Sequence, residues 1–99
     1  MLFAVMYTNK NNSTEATDKR TLDLFTNWKL PPGFEFKEHY AFADGSGGIG
    51  IAEASSAAAL YEAHVPWAPL LDFKTIPIVE IGEAVAIQQR TNAWRDSVR

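Results

Sequence analysis

The chain of 99 residues contains no cysteine. This absence excludes disulfide frameworks, thiolate zinc sites and cysteine nucleophiles. Cations are scarce as well, since nine Lys and Arg stand against twelve Asp and Glu, for a formal charge of −3. No basic residue occurs between Lys37 and Lys74. Because nucleic-acid binding requires clustered cations for the phosphates, we expect no nucleic-acid partner.

Long hydrophobic runs are also missing. The first apolar run precedes Lys10, the first basic residue, whereas a signal peptide begins with a basic segment. No run approaches the roughly 18 apolar residues of a membrane-spanning helix. We therefore expect a cytoplasmic protein without a membrane partner. The hydrophobic fraction of 46% indicates a globular chain, and its length predicts a single domain, residues 1–99.

The hydrophobic pattern predicts strands at residues 2–8, 34–43, 48–54 and 72–80. Helices are predicted from Ser13 or Thr14 to about Trp28, over 57–64, and from 81 to about 96. The first strand is apolar at both its odd-numbered and its even-numbered positions, which is typical of a central strand covered on both faces. Pro77 predicts an edge position for the fourth strand, because proline cannot donate to a central ladder.

The predicted order is β-α-β-β-α-β with an appended C-terminal helix. With right-handed crossovers this order gives an α+β fold of the ferredoxin-like type, an antiparallel sheet with strand order 4-1-3-2. Two helices cover only one face of such a sheet, yet the first strand requires cover on both. A two-fold partner would bury the other face, so we expect a homodimer with its sheets packed face to face.

Several short segments between residues 32 and 87 carry a family resemblance. They are Pro32–Phe36, His39–Tyr40, Ala43–Gly48, Glu53–Ala54, Ala59–Tyr61, Pro66–Trp67 and Glu83–Ile87. On these segments the chain resembles the dimeric α+β barrel superfamily and, more closely, a family of small bacterial proteins described as a domain of unknown function. The tail from Gln88 to Arg99 departs from the pattern. The resemblance implies the fold and the dimer. It does not imply one reaction, since the superfamily includes monooxygenases, isomerases, haem-handling enzymes and stress-induced proteins.

The glycine-rich segment Gly45–Gly50 matches the dinucleotide-binding string G-x-G-x-x-G. That motif requires the glycines to lead into a helix. Here they lead into a predicted strand, so the segment is interpreted as a hairpin turn and no cofactor is expected. The two histidines are isolated in the sequence, so no metal site is expected either.

The length of this hairpin loop decides which residues face one another. A loop of three or five residues places His39 opposite Glu53, whereas two or four residues would place Glu38 there. We favour the first register, because it avoids a like-charge pair and sets large side chains against small ones. A carboxylate beside an imidazole fixes its tautomer and raises its basicity. His39 and Glu53 are therefore the candidate catalytic pair, and the alternative is a structural contact at the dimer surface.

Tyr7, Tyr40, His64 and Trp67 are candidate substrate-binding residues, although each also suits a purely structural role in the core. Two functional hypotheses remain. The first is a cofactor-independent enzyme with isomerase-, lyase- or monooxygenase-like chemistry on a small organic molecule held in an apolar pocket. The second is a non-catalytic homodimer that binds a small apolar ligand or a protein partner. The enzyme hypothesis requires His39 and Glu53 to share one face beside a cavity.

Overall fold

The computed structural model describes residues 1–98. Four strands and three helices follow the predicted sequence of elements, with a short 3-10 turn at Val65–Trp67 before the last strand. The elements are β1 (Leu2–Asn9), α1 (Glu15–Thr26), β2 (Phe34–Ala41), β3 (Gly47–Ala54), α2 (Ala57–His64), β4 (Leu71–Pro77) and α3 (Ile81–Ser97).

The strands form one antiparallel sheet in the order β2-β3-β1-β4. An α+β chain built on a four-stranded antiparallel sheet is therefore confirmed. β1 lies between β3 and β4, which agrees with the apolar side chains that it directs to both faces of the sheet. β4 is an edge strand and ends at Pro77, where a missing backbone donor costs the ladder little.

Side-chain caps determine where the first two helices begin. The Thr14 hydroxyl accepts from the backbone N–H of Thr17 at 3.2 Å, and the Thr17 hydroxyl accepts from the backbone N–H of Thr14 at 2.7 Å. This reciprocal pair satisfies two donors that a helix start otherwise leaves free. Ser56 caps α2 through a single bond, in which its hydroxyl accepts from the N–H of Ala59 at 3.1 Å. α1 ends at Thr26, two residues before the predicted end at Trp28.

The two faces of the sheet differ in cover. The face towards α1 and α2 carries the buried core, with Phe3, Val5, Phe34, Ala52 and Ala54 each at most 9% exposed. The opposite face carries neither α1 nor α2. We call this second face the open face; it is formed by Leu2, Ala4, Met6, Thr8, Glu35, Glu38, Tyr40, Gly47, Ile49, Ile51, Glu53, Asp72, Lys74 and Ile76.

Glycines in β3 make room for aromatic rings from the neighbouring strands. A Cβ atom built on Gly48 would lie 2.3 Å from the Tyr7 hydroxyl oxygen and 2.7 Å from the Tyr40 carbonyl oxygen. A Cβ on Gly50 would lie 2.6 Å from the Phe36 ring. All three distances are too short for a side chain at either glycine, so the rings of Tyr7 and Phe36 lie against bare backbone.

The predicted register between β2 and β3 is wrong. Phe42 and Gly47 close a four-residue loop, with the Phe42 N–H donating to the Gly47 carbonyl at 2.8 Å. His39 lies opposite Gly50, and Glu53 lies opposite Glu35. The register also shifts between Phe36 and Glu38, so the residue between them is a bulge.

Glu38, which the rejected register would place opposite Glu53, lies opposite Ile51, but a different like-charge pair, Glu35 and Glu53, is present at this end of the sheet. It is tolerated because a cation contacts each member. The Met1 amino group lies 2.5 Å from Oε1 of Glu53, and Lys37 forms an ion pair with Glu35. Repulsion between the two carboxylates is thereby offset.

The last helix, α3, buries none of its residues. Ile81 and Trp94 are 75% and 68% exposed, and the chain measures 60 × 30 × 20 Å along its principal axes.

No helix within residues 1–98 combines the length and apolarity needed to cross a membrane.

Replacing Gly48 by Ala tests the contact between Tyr7 and bare backbone. The added methyl group collides with a ring and a carbonyl oxygen, so we expect a loss of about 2 kcal/mol in the free energy of unfolding, measured with urea. Gly82→Ala is the matched control, since its methyl group meets only the flexible Glu80 carboxylate. That variant should remain within about 0.5 kcal/mol of wild type. Equal stability of the two variants would contradict the packing described.

Candidate functional site

A cavity of about 350 Å³ lies between α1 and the covered face of the sheet. This volume is within the range of small-molecule pockets. No residue of α1 is buried, so the helix stands away from the strands instead of filling the space. Leu22 and Phe25 of α1 line the cavity and remain 62% and 48% exposed. The cavity therefore opens along the helix.

The cavity wall is predominantly aromatic. The rings interlock by edge contacts, such as Trp28 against Trp67 at 5.2 Å and 84° between planes. Trp67 is 5% exposed and anchors this cluster beneath the end of α1. Seven aromatic residues line the space: Tyr7, Phe25, Trp28, Phe34, Phe36, Trp67 and Phe73. Such a wall offers both ring faces and ring edges to a ligand.

A hydrogen-bonded pair of polar side chains lies on the sheet side of the cavity. The Tyr7 hydroxyl of β1 and Nε2 of His39 in β2 are 2.6 Å apart. His39 stacks on Phe36, with 4.4 Å between ring centroids and 15° between planes. Phe25 contacts the same imidazole by its edge at 5.8 Å. The histidine is therefore held by aromatic rings on two sides and by one hydrogen bond.

Both members of this pair are neutral near pH 7. Burial raises the pKa of the Tyr7 phenol above 10.0 and lowers the pKa of the His39 imidazole below its ordinary 6.5. In each case the apolar surroundings disfavour the charged form. One proton lies between the two groups, and each can act as donor or acceptor according to the imidazole tautomer.

His64, the second histidine, occupies the opposite wall at the end of α2. Its Nδ1 lies 2.9 Å from the Leu60 carbonyl oxygen, which can only accept, so Nδ1 carries a proton. Its Nε2 lies 2.7 Å from the Thr75 hydroxyl. The ring packs on Phe73 at 4.6 Å. With both nitrogens engaged, His64 is fixed in place and presents ring surface to the cavity.

The structure brings together four of the six residues singled out from sequence: Tyr7, His39, His64 and Trp67 all line the cavity. Glu53 does not approach His39. It lies opposite Leu2 and Glu35 on the open face, so the predicted His39–Glu53 pair is not formed. Tyr40 lies opposite Ile49 on the open face and is 61% exposed. It is outside the cavity.

The bulge at Lys37 explains these differences. Strict alternation in β2 would place His39 on the opposite face from Phe36. One extra residue between them reverses the parity, so His39 joins Phe36 on the cavity face and Tyr40 moves to the open face. The aromatic positions Phe25 and Trp28 were identified from sequence only as the buried stripe of α1. The sequence pattern of such a hydrophobic stripe is the same whether its side chains fill a core or line a cavity.

The charged groups around the cavity are few. Asp18, in the first turn of α1, contributes the one carboxylate among the described lining residues, and no Lys or Arg of residues 1–98 contributes to the lining. Within the same range, no three His, Asp or Glu side chains are grouped so that they could hold a metal ion. The site is a largely apolar, aromatic pocket with the neutral Tyr7–His39 pair on its sheet side, and its described lining also includes Asn9, Thr21 and His64.

The fold and the pocket define a small α+β protein with an aromatic cavity. Residues 1–92 match the family described as "Domain of unknown function (DUF3303)", and the chain belongs to that family. A comparison with curated proteins finds no match.

The pKa of His39 predicts a pH-dependent stability. The unfolded chain takes up a proton near pH 6.5, while the folded protein resists protonation until the pH is lower. The free energy of unfolding should therefore fall as the pH decreases from 7.5 to 5.5. His39→Gln keeps an amide near Nε2 but cannot titrate, so its stability should decline less over that interval. His64 and the carboxylates remain in both proteins. Parallel curves from urea unfolding at each pH would contradict the prediction.

Proposed function

We propose that this protein binds a small, largely apolar organic molecule in the cavity between α1 and the sheet, and that it acts as a homodimer. The observation that carries the proposal is a pocket of about 350 Å³ that keeps an ordered, neutral Tyr7–His39 pair among aromatic side chains. Apolar walls with a few convergent polar groups are the usual composition of a ligand site.

The shape of the wall favours a planar molecule. Phe36 and His39 are stacked nearly parallel, whereas Trp28 and Trp67 meet edge to face. A flat ligand can align its face with one set of rings and receive the edges of the other. Leu22 and Phe25 on the exposed helix α1 complete the boundary. A helix with no buried residue can move outward to admit a ligand at small cost in core packing.

Binding without acid–base catalysis agrees better with the placement of the carboxylates. The enzyme hypothesis required Glu53 to orient His39, and Glu53 lies on the other face of the sheet. The partner of His39 is a phenol whose raised pKa keeps it protonated. This pair offers hydrogen bonds to a ligand, but it lacks the charged group that would strengthen an imidazole base.

The homodimer part of the proposal completes a ferredoxin-like, dimeric α+β barrel. Its support is the open face, where Met6, Ile49 and Ile51 are only partly covered. Glu38 lies on the edge strand β2 and Lys74 on the opposite edge strand β4. A two-fold axis parallel to the strands would place these opposite charges against each other between two copies. Such self-complementarity is the requirement for a two-fold interface.

Ligand binding is tested with the tryptophan indole N–H signals in ¹⁵N–¹H NMR spectra. Trp28 and Trp67 line the cavity, whereas Trp94 lies on α3 outside it. Titration with 2-naphthamide, a planar uncharged probe, should shift the signals of the first two and leave that of Trp94 unchanged. Phe25→Ala should weaken binding by about tenfold through the lost ring contact. Leu30→Ala, at a similarly exposed position outside the lining, is the control. Unchanged indole signals, or equal shifts of all three, would contradict the proposal.

The homodimer is tested by light scattering coupled to size exclusion. Wild type should have twice the mass of one chain at micromolar concentration. Tyr40→Glu places a charge on the open face and should yield monomers, because an unpaired charge cannot be buried at a dimer centre. Tyr61→Glu changes the same residue type at a similar exposure, 71% against 61%, on α2, and should remain dimeric. A monomeric wild type would overturn this part of the proposal.

A further inference from the structure

The charge of the cavity restricts what it can hold. Among residues 1–98, the lining contains neither Lys nor Arg, and its one carboxylate is the exposed Asp18. An anion that enters would lose its hydration without meeting a cation. Removing a charge from water without a partner is strongly unfavourable. Asp18 at the rim adds repulsion of the same sign.

The polar pair supplies hydrogen bonds of a particular kind. If the Tyr7 hydroxyl donates to Nε2 of His39, the proton of the neutral ring resides on Nδ1 and is free to donate. If Nε2 donates instead, the Tyr7 hydroxyl proton is the free one. Either tautomer leaves one donor without a partner within the pair. No buried side-chain nitrogen or oxygen of the described residues lacks a partner. His39 is partly buried and its Nδ1 has no partner among those residues, so Nδ1 is accessible from the solvent or the cavity.

We infer that the cavity selects an uncharged, planar molecule that carries a hydrogen-bond acceptor such as a carbonyl oxygen, and that it discriminates against carboxylates and other anions. The inference rests on the proposed function and names the ligand class of that site. The aromatic wall contributes contact area for the planar part of the ligand. The Tyr7–His39 pair donates to the acceptor.

The neutrality of His39 supports this assignment. A positively charged imidazole would attract a carboxylate, but burial lowers the pKa of this ring, so the cation is disfavoured near pH 7. His64 also faces the cavity, and its Nδ1 and Nε2 are engaged by Leu60 and Thr75. His39 therefore offers no counter-ion for an anion near pH 7, and neither ring nitrogen of His64 is free to bind one.

A matched pair of probes tests the inference at pH 7.5. 2-Naphthamide and 2-naphthoate share one ring system and differ in charge. The indole shifts of Trp28 and Trp67 report occupancy of the cavity for both probes. The amide is expected to bind at least tenfold more tightly than the carboxylate, because the naphthoate charge has no partner in the cavity. Equal or tighter binding of naphthoate would overturn the inference. If neither probe shifts these signals, the proposed function itself fails.

A third probe addresses Asp18. 2-Naphthyltrimethylammonium carries a positive charge that could interact with this carboxylate and with the ring faces. Because Asp18 is exposed and therefore screened by solvent, the ammonium probe is expected to bind more weakly than the amide. Tighter binding of the ammonium probe would reassign the cavity to cations and overturn the inference.

Charge placement can be tested by substitution at a tolerant position. Leu22 lines the cavity and is 62% exposed, so Leu22→Arg introduces a cation at the wall with little risk to folding. This variant should bind naphthoate about tenfold more tightly than wild type does, while its affinity for the amide changes little. Leu30→Arg places the same charge outside the lining and should retain the wild-type preference. An unchanged preference in Leu22→Arg would show that the missing cation is not what discriminates, and would overturn the inference.

Discussion

Strand β2 has one residue more than its pairing with β3 requires, and this bulge at Lys37 determines the face on which His39 lies. Because side chains alternate along a strand, inserting one residue moves every later side chain to the other face. His39 consequently stacks on Phe36 and reaches the Tyr7 hydroxyl at 2.6 Å. Without the bulge, His39 would lie on the open face, and His64 would be the remaining imidazole in the described lining. The hydrogen-bonded Tyr7–His39 pair depends on this single irregularity.

The cavity itself depends on where large and small residues lie across the sheet. Gly48 and Gly50 in β3 leave bare backbone beneath the Tyr7 and Phe36 rings, so those rings approach the sheet closely. The opposite wall is α1, which has a well-formed N-terminal cap but buries none of its residues. Local capping thus determines where this helix begins, while the aromatic contacts of Phe25 and Trp28 hold its C-terminal end to the body of the protein. The space that remains is the proposed ligand site.

Much of the fold follows from local sequence signals. The two-sided apolar pattern of residues 2–8 predicts a central strand, and Pro77 predicts an edge. Thr14 and Ser56 mark the starts of α1 and α2, as their capping bonds confirm. Tyr7, His64 and Trp67 were identified as candidates for a pocket, and the structure places all three in the cavity lining. The predictions of the strand positions and helix starts succeed because each depends on backbone chemistry or on a periodicity within one element. The substrate-binding role of Tyr7, His64 and Trp67 stays a prediction.

The site was less predictable because it depends on pairing between elements. Nothing in Phe36-Lys37-Glu38, which contains no glycine, identifies a bulge, so the expected pairing of His39 with Glu53 is wrong.

The most direct test of where His39 lies is the set of nuclear Overhauser contacts of its ring. The account predicts contacts to Phe36, Phe25 and Tyr7. Contacts instead to Ile51 or Glu53 would place the ring on the open face and contradict the account.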